Sequence, residues 1–254
     1  MLDTEKDIEN LMPILRSKLA KKKPEENYKT FKEIDFLEGL LTLDGKSILE
    51  LGCGKAEITR LIATGGEGRK ITATEVDEIQ HNKNLLIDDL PNVTFVKGGS
   101  EDIPLKDGAV DVVFMFKSLH HVPVASMDDA FKEVKRVLKA GGLVYVSEPV
   151  YAGGFNDIIR LFNEEKDVRD AAYNAVKKSV SDLGLSMVEE IFINTPLFFK
   201  NFEEFETSVI NVTHRENRLS PEIYNEVKEK FSYNMDEDGK RFLQPVRINL
   251  MQKR

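Results

Sequence analysis

Leu49-Glu50-Leu51-Gly52-Cys53-Gly54-Lys55-Ala56 is the stretch on which the fold turns. Before it, Lys46 to Leu51 reads as a short apolar strand. After it, Ala56 to Ala63 reads as a helix that Gly65-Gly66 breaks. A strand running through Gly-x-Gly into a helix is how a doubly wound sheet begins, and the glycines allow tight turning and close approach of a ligand to the backbone. The alternation continues downstream. Ile71 to Val76 predicts a strand, Asp77 to Leu90 a helix stopped by Pro91, and Val93 to Val96 a third strand. Val110 to Phe116 is nearly all apolar, as in a strand covered on both faces. Ser126 opens a helix with Asp129 as its capping-box partner and Gly141-Gly142 as its stop, and Leu143 to Ser147 is a fifth strand. This order predicts an α/β fold with a Rossmann-like, mostly parallel sheet.

The flanks are less regular. Ile8, Leu11, Leu15 and Leu19 recur at helical spacing, and Tyr28 to Leu41 predicts a second helix. Phe155 to Leu183 reads as mostly helical, Met187 to Asn194 as a strand and Phe199 to Arg218 as a helix. Ser220-Pro221 starts another helix, and Phe242 to Met251 is a last strand, with Pro245 suited to an edge or early position. The expected organisation is a single domain over 1–254. Within it, 1–30 form an N-terminal helical lid, 42–150 a cofactor-binding core, and 199–232 a helical insertion before the last strand.

Composition narrows the function. The chain has 254 residues, 31% of them charged, and a formal charge of −8, which argues against a general nucleic-acid binder. The longest run without Asp, Glu, Lys or Arg is Ser118 to Met127, too short to span a membrane. The N-terminus has no apolar h-region, so the expected location is cytoplasmic. The single cysteine, Cys53, excludes an internal disulfide and a multi-Cys metal site. No His, Asp and Glu grouping has metal-ligand spacing.

The carboxylates around the loop select the ligand. Glu75 ends the second strand, where it can accept hydrogen bonds from a ribose diol. A dinucleotide fingerprint needs glycine where this chain has Glu57, and a carboxylate in the first helical turn repels a pyrophosphate. Glu50 adds a second negative charge before the loop. S-adenosylmethionine has a ribose diol, an ammonium, a sulfonium and no phosphate, and fits these residues better than NAD.

The segments ILELGCGKAE (48–57), ITATEVDE (71–78), GGSEDIPLKDGAVDVVFMFKSLHHV (98–122) and EVKRVLKAGGLVYVSEP (133–149) together closely resemble class I S-adenosylmethionine-dependent methyltransferases. They are most similar to the group containing the quinone-biosynthesis C-methyltransferases and many small-molecule methyltransferases. The resemblance covers roughly residues 45–150. It implies a seven-stranded sheet whose last strand is antiparallel. It also implies that Gly52, Cys53 and Gly54 line the methionine part of the cofactor, that Glu50 reaches its ammonium, that Glu75 binds the ribose and that Val76 packs on the adenine. Ser100 and Glu101 fall in the loop that contacts the adenine edge, and Phe116 and Lys117 lie near the sulfonium. Two positions depart from the pattern: Ala56 replaces a third glycine, and Gly99 stands where an Asp is usual.

The expected activity is methyl transfer to a small-molecule acceptor, leaving S-adenosylhomocysteine. The alternatives are a protein methyltransferase and a non-catalytic S-adenosylmethionine-binding protein. Candidate proton-handling groups are His120, His121 and Glu148. Adjacent loop residues usually point apart, and Val122-Pro123 favours His121 as the one facing the acceptor. Tyr151, His214 and Arg215 are candidates for acceptor binding, and Arg247 is a further cation for an acidic acceptor. Lys117 beside a sulfonium is unexpected, and its head can turn to solvent, to substrate or to Glu148.

Overall fold

Strand side chains alternate between two apolar layers in the computed structural model, which describes residues 27–212 and 219–254. The strands are β1 (Ser47–Leu51), β2 (Lys70–Glu75), β3 (Val93–Lys97), β4 (Val110–Phe116), β5 (Leu138–Pro149), β6 (Leu185–Phe199) and β7 (Lys240–Lys253). They form one seven-stranded sheet in the order β3-β2-β1-β4-β5-β7-β6. Pairing is parallel from β3 through β5, while β7 runs antiparallel to both β5 and β6, so the expected reversal of the last strand is present. Strand order reverses between β1 and β4, which puts the ligand crevice of such a sheet at their carboxyl ends.

Period-two alternation decides what each layer holds. Ile48, Val112, Phe114, Phe116 and Tyr145 pack on one face with Phe36, Leu37 and Leu40 of α1 (Glu33–Leu40) and Ile62 of α2 (Glu57–Thr64). Leu49, Leu51, Val113, Met115, Val144 and Val146 pack on the other with Phe131 and Val134 of α4 (Met127–Val137) and Val176 of α6 (Lys166–Ser181). The short helix α3 (Glu78–Asn84) lies between β2 and β3 in sequence. A third apolar cluster joins α5 (Gly154–Ile159), α7 (Phe202–Phe205), the π-type turn Glu206–Ile210 and α8 (Pro221–Ser232) around Phe199, Phe205 and Phe231. No helix among the described residues is long and apolar enough to cross a membrane.

Several expected boundaries move. Tyr28 to Lys32 is not helical: Phe31 N–H donates to Asn194 O and Asn194 N–H to Lys29 O, so this segment borders β6. Asp129 does not cap α4. Its carboxylate accepts from Lys132 instead, and the helix ends at Val137, before Gly141-Gly142. Residues 160–165 separate α5 from α6 within the stretch read as continuous helix. Phe199 closes β6 and does not open a helix, because the β6–β7 pairing runs on to Phe199 opposite Lys240. Pro245 sits inside the long hairpin, just beyond the last β5 pair at Pro149 and Val246, and its carbonyl accepts from Val150 N–H. The expected helix over 5–20 and the pair His214 and Arg215 lie outside the described residues.

Candidate active site

The loop after β1 is bent by backbone conformation and tied to β2. Gly52 holds φ +76°, and a Cβ there would stand 2.8 Å from the Cβ of Ser118. Gly52 N–H and Cys53 N–H both donate to Thr74 O, at 3.0 and 2.9 Å. Ser118 Oγ donates to Leu51 O at 2.7 Å, locking the ends of β1 and β4 together. Ala56, at the N-cap of α2, holds φ +59°, a left-handed value that costs an L-residue roughly 1–2 kcal/mol. Ala56 thus adopts a left-handed conformation that glycine would adopt without that cost.

Glu75 closes this loop from β2. Its Oε2 accepts Gly54 N–H at 2.8 Å, and its Oε1 accepts Val76 N–H at 2.8 Å and Asp77 N–H at 2.9 Å. A carboxylate has about four acceptor positions, so three are committed and capacity remains for a further donor. Next to it, Val76 and Ile79 are 62% and 56% exposed, an uncovered apolar pair beside a buried carboxylate. Across the strand ends, Ser100 Oγ is buried without a hydrogen-bond partner. A Cβ added to Gly99 would overlap the carboxylate of Glu101, so that carboxylate occupies the space an Asp side chain would need. Asn84 Nδ2 donates to Gly54 O at 2.8 Å and stands 3.5 Å from Cys53 Sγ. Burial, then Glu50 and Glu75, push the Cys53 thiol well up, which keeps it protonated and unreactive.

Glu50 follows Ile48 onto the α1 side of the sheet, where burial raises its pKa from 4.5 to about 7. The Thr59 hydroxyl, 2.6 Å from its Oε2, opposes that rise, and the nearby Glu33 adds to it. Glu33 was not foreseen. It opens α1, its side chain is 7% exposed, and Lys117 Nζ lies 3.5 Å from its Oε2. The Lys117 head thus turns to Glu33, and not to Glu148. Lys117 itself holds φ +53°, with its N–H donating to Ser147 O at 2.7 Å. Phe116 is buried in a ring cluster with Phe114 and Tyr145.

On the other face of the sheet, the turn after β4 brings both histidines to one cavity. Their ring centroids are 4.0 Å apart, so the expectation that they point apart is corrected. His120 is buried, with Nδ1 2.5 Å from Glu148 Oε2, while Glu148 Oε1 accepts Leu119 N–H at 2.9 Å. His121 is exposed on the chain surface but also lines the cavity. That cavity has a volume of about 400 Å³ and apolar walls from Phe155, Ile159, Leu197, Phe199, Val209 and Val212. Its polar wall is made by Lys117, the histidines, Glu165 and Arg169. Arg169, also not foreseen, donates to Asn156 Oδ1 at 2.9 Å and to Glu165 Oε2 at 2.6 Å, and its Nε is buried without a partner. Against its burial, the charge of His120 when protonated, then that of Arg169, holds the Glu165 carboxyl below its ordinary value. Tyr151 does not line this cavity. Its hydroxyl donates to Glu164 at 2.7 Å. Arg247 is stacked 3.7 Å over the Tyr173 ring and its Nε donates to Asn249 Oδ1, which commits it outside the cavity.

With that geometry in view, the comparisons are specific. Residues 49–146 match the methyltransferase-domain family. That match makes residues 49–146 a methyltransferase domain. An uncharacterized methyltransferase of Synechocystis sp. is 31% identical over 107 residues, covering 42% of this chain and 49% of the relative. One from Mycobacterium tuberculosis is 31% identical over 139 residues, covering 53% and 54%. The ubiquinone/menaquinone biosynthesis C-methyltransferase UbiE of Legionella pneumophila is 30% identical over 117 residues, covering 43% and 46%. The chain thus spans about half the length of the curated relatives it matches. Among solved structures, Bacillus halodurans BH2331 superposes with a TM-score of 0.60 at 15% identity, over 87% of this chain and 98% of that one. The [4+2]-cyclase SpnF superposes with a TM-score of 0.56 at 18% identity, over 98% and 93%. At those identities the structural likeness concerns the fold. The matched methyltransferase domain includes the glycine loop, Glu75, Lys117 and the two histidines, and ends just before Glu148.

Proposed function

We propose that this chain transfers the methyl group of S-adenosylmethionine to a small-molecule acceptor, with His120 taking the acceptor's proton. The observation that carries this reading is the buried His120–Glu148 pair beside a cavity of about 400 Å³, whose wall also holds Lys117, itself paired with Glu33 of α1. That volume lies within the roughly 300–1,000 Å³ range of small-molecule sites, and the walls favour an acceptor with an apolar body.

The residues fit the cofactor. Glu75 retains acceptor capacity for the ribose, and the uncovered Val76 and Ile79 suit an adenine face. Ser100 and Glu101 suit its edge. Gly52, Cys53 and Gly54 would flank the methionine part, with Glu50 toward the ammonium and Phe116 and Lys117 near the sulfonium. When bound, the cofactor supplies an activated methyl group for in-line displacement. The chain then contributes position and a dry cavity, and His120 Nε2 accepts the proton released by the acceptor. The helical segments between β5 and β6 and between β6 and β7 cover the cavity.

The test offers labelled S-adenosylmethionine to the protein together with a metabolite extract. Label in a small molecule supports the reading. Label confined to polypeptide identifies a protein methyltransferase, and saturable binding without transfer identifies a non-catalytic binder. The last outcome matters because a protein named as a cyclase has a similar fold. Thermal stabilisation by S-adenosylhomocysteine, and none by NAD, is the expected companion result.

A further inference from the structure

We infer that Glu33 sets the charge preference of the cofactor site, neutralising Lys117 so that a sulfonium can be held beside a lysine. This inference rests on the cofactor reading above. A buried carboxylate normally gathers two or more donors. Both oxygens of Glu33 are buried and accept no hydrogen bond, and the one cation facing them in the described structure is Lys117 Nζ at 3.5 Å. The pairing is not a surface accident: the Glu33 side chain is 7% exposed and the Lys117 side chain 30%.

Fold geometry explains the placement. Glu50 shares its sheet face with Ile48, whose layer packs on α1, and Glu33 opens α1. Glu33 also acts electrostatically on Glu50, one residue before the end of β1, and on the buried Tyr145 hydroxyl of β5. Lys117 meets it from the end of β4, with its backbone held at φ +53° by the bond to Ser147 O. A lysine at this point would repel a sulfonium; a lysine already neutralised does not. S-adenosylmethionine carries one more positive charge than S-adenosylhomocysteine, so Glu33 favours substrate over product.

The test is calorimetric titration of both ligands into wild type, Glu33→Gln, Lys117→Met and the double variant. Glu33→Gln is expected to weaken S-adenosylmethionine about tenfold and S-adenosylhomocysteine about threefold at most. Lys117→Met is expected to shift the ratio of the two affinities the other way, and the double variant to return close to the wild-type ratio. Equal changes for both ligands in Glu33→Gln, or an unchanged ratio in Lys117→Met, would overturn the inference. Should Glu33→Gln fail to fold, Lys117→Met decides alone, since its side chain is partly exposed. If wild type binds neither ligand, the cofactor reading itself falls and takes this inference with it. Wild-type binding with no shift in ratio refutes only the role of Glu33.

Discussion

Nδ1 of His120 stands 2.5 Å from Oε2 of Glu148, and both side chains are nearly excluded from water. A carboxylate can only accept, so Nδ1 carries a hydrogen, and whenever the ring is neutral the lone pair is on Nε2. Leu119 N–H holds the other Glu148 oxygen, which fixes the carboxylate and through it the ring. Sequence position alone favours His121, because Val122-Pro123 after it starts a turn toward the expected lid, while His120 follows Leu119 into the packed side. The carboxylate moves the expectation to His120. His120→Ala should lower turnover by about 10²–10⁴, and Glu148→Gln should follow it, while S-adenosylhomocysteine affinity changes little. His121→Ala should cost far less. Full turnover in His120→Ala would remove the base from the mechanism.

Glu75 has two duties that one substitution cannot separate. Removing the carboxylate deletes an acceptor for the ribose and leaves the N–H groups of Gly54, Val76 and Asp77 without theirs. Glu75→Ala should therefore weaken cofactor binding at least about tenfold and also cost roughly 1–3 kcal/mol of stability, a loss of several degrees in Tm for a chain of this size. Titration and thermal melting are read on the same preparation. A normal affinity in a folded variant would assign Glu75 to loop closure alone.

The parts of this site that lie along one βα unit could be read from the sequence. Gly52, Gly54 and Glu75 are carried by consecutive strands, so spacing places them together. Glu33 and Arg169 left no such trace, because each meets its site through packing between distant segments: α1 against β4, and α6 against the turn holding His120. The same limit explains the misread element at Phe199. Phe199, Phe202 and Phe205 have helical spacing, yet the hairpin with β7 carries Phe199 to the end of a strand, and only the latter two lie in α7. The sequence reading and the structure agree best at β1 to β4, where local pattern and sheet order coincide.

Phe205 tests whether the cover can be loosened without harming the cofactor side. It is fully buried, and its ring lies 5.0 Å from Phe231, 5.3 Å from Phe199 and 5.8 Å from Phe202. Phe205→Ala should cost roughly 3–5 kcal/mol, lowering Tm by about 10 °C. The glycine loop belongs to other apolar layers, so S-adenosylhomocysteine affinity should stay near wild type in the folded protein. A parallel fall in affinity would show that the cover and the cofactor loop form one unit.

Glu50 gives the site a pH dependence of unusual sign for a carboxylate. Burial raises its pKa from 4.5 to about 7, with Glu33 adding to the rise and the Thr59 hydroxyl opposing it. Between those values the folded chain holds a proton that the unfolded chain has lost. The contribution of Glu50 to stability is therefore fully present below 4.5, falls as pH rises toward about 7, and levels off above it. The full gap corresponds to roughly 3 kcal/mol. Glu50→Gln cannot ionise, so its melting temperature should fall less than that of wild type between about pH 5 and about pH 8. Ligand binding probes the same proton from the other side. An ammonium brought beside Glu50 favours the ionised form, so binding of S-adenosylhomocysteine near pH 6 should release a proton. Calorimetry in buffers of different ionisation enthalpy would register that release in wild type and not in Glu50→Gln. Identical melting slopes in the two proteins, with no difference in proton release, would show that Glu50 is already ionised in the folded chain and that the ammonium is held elsewhere.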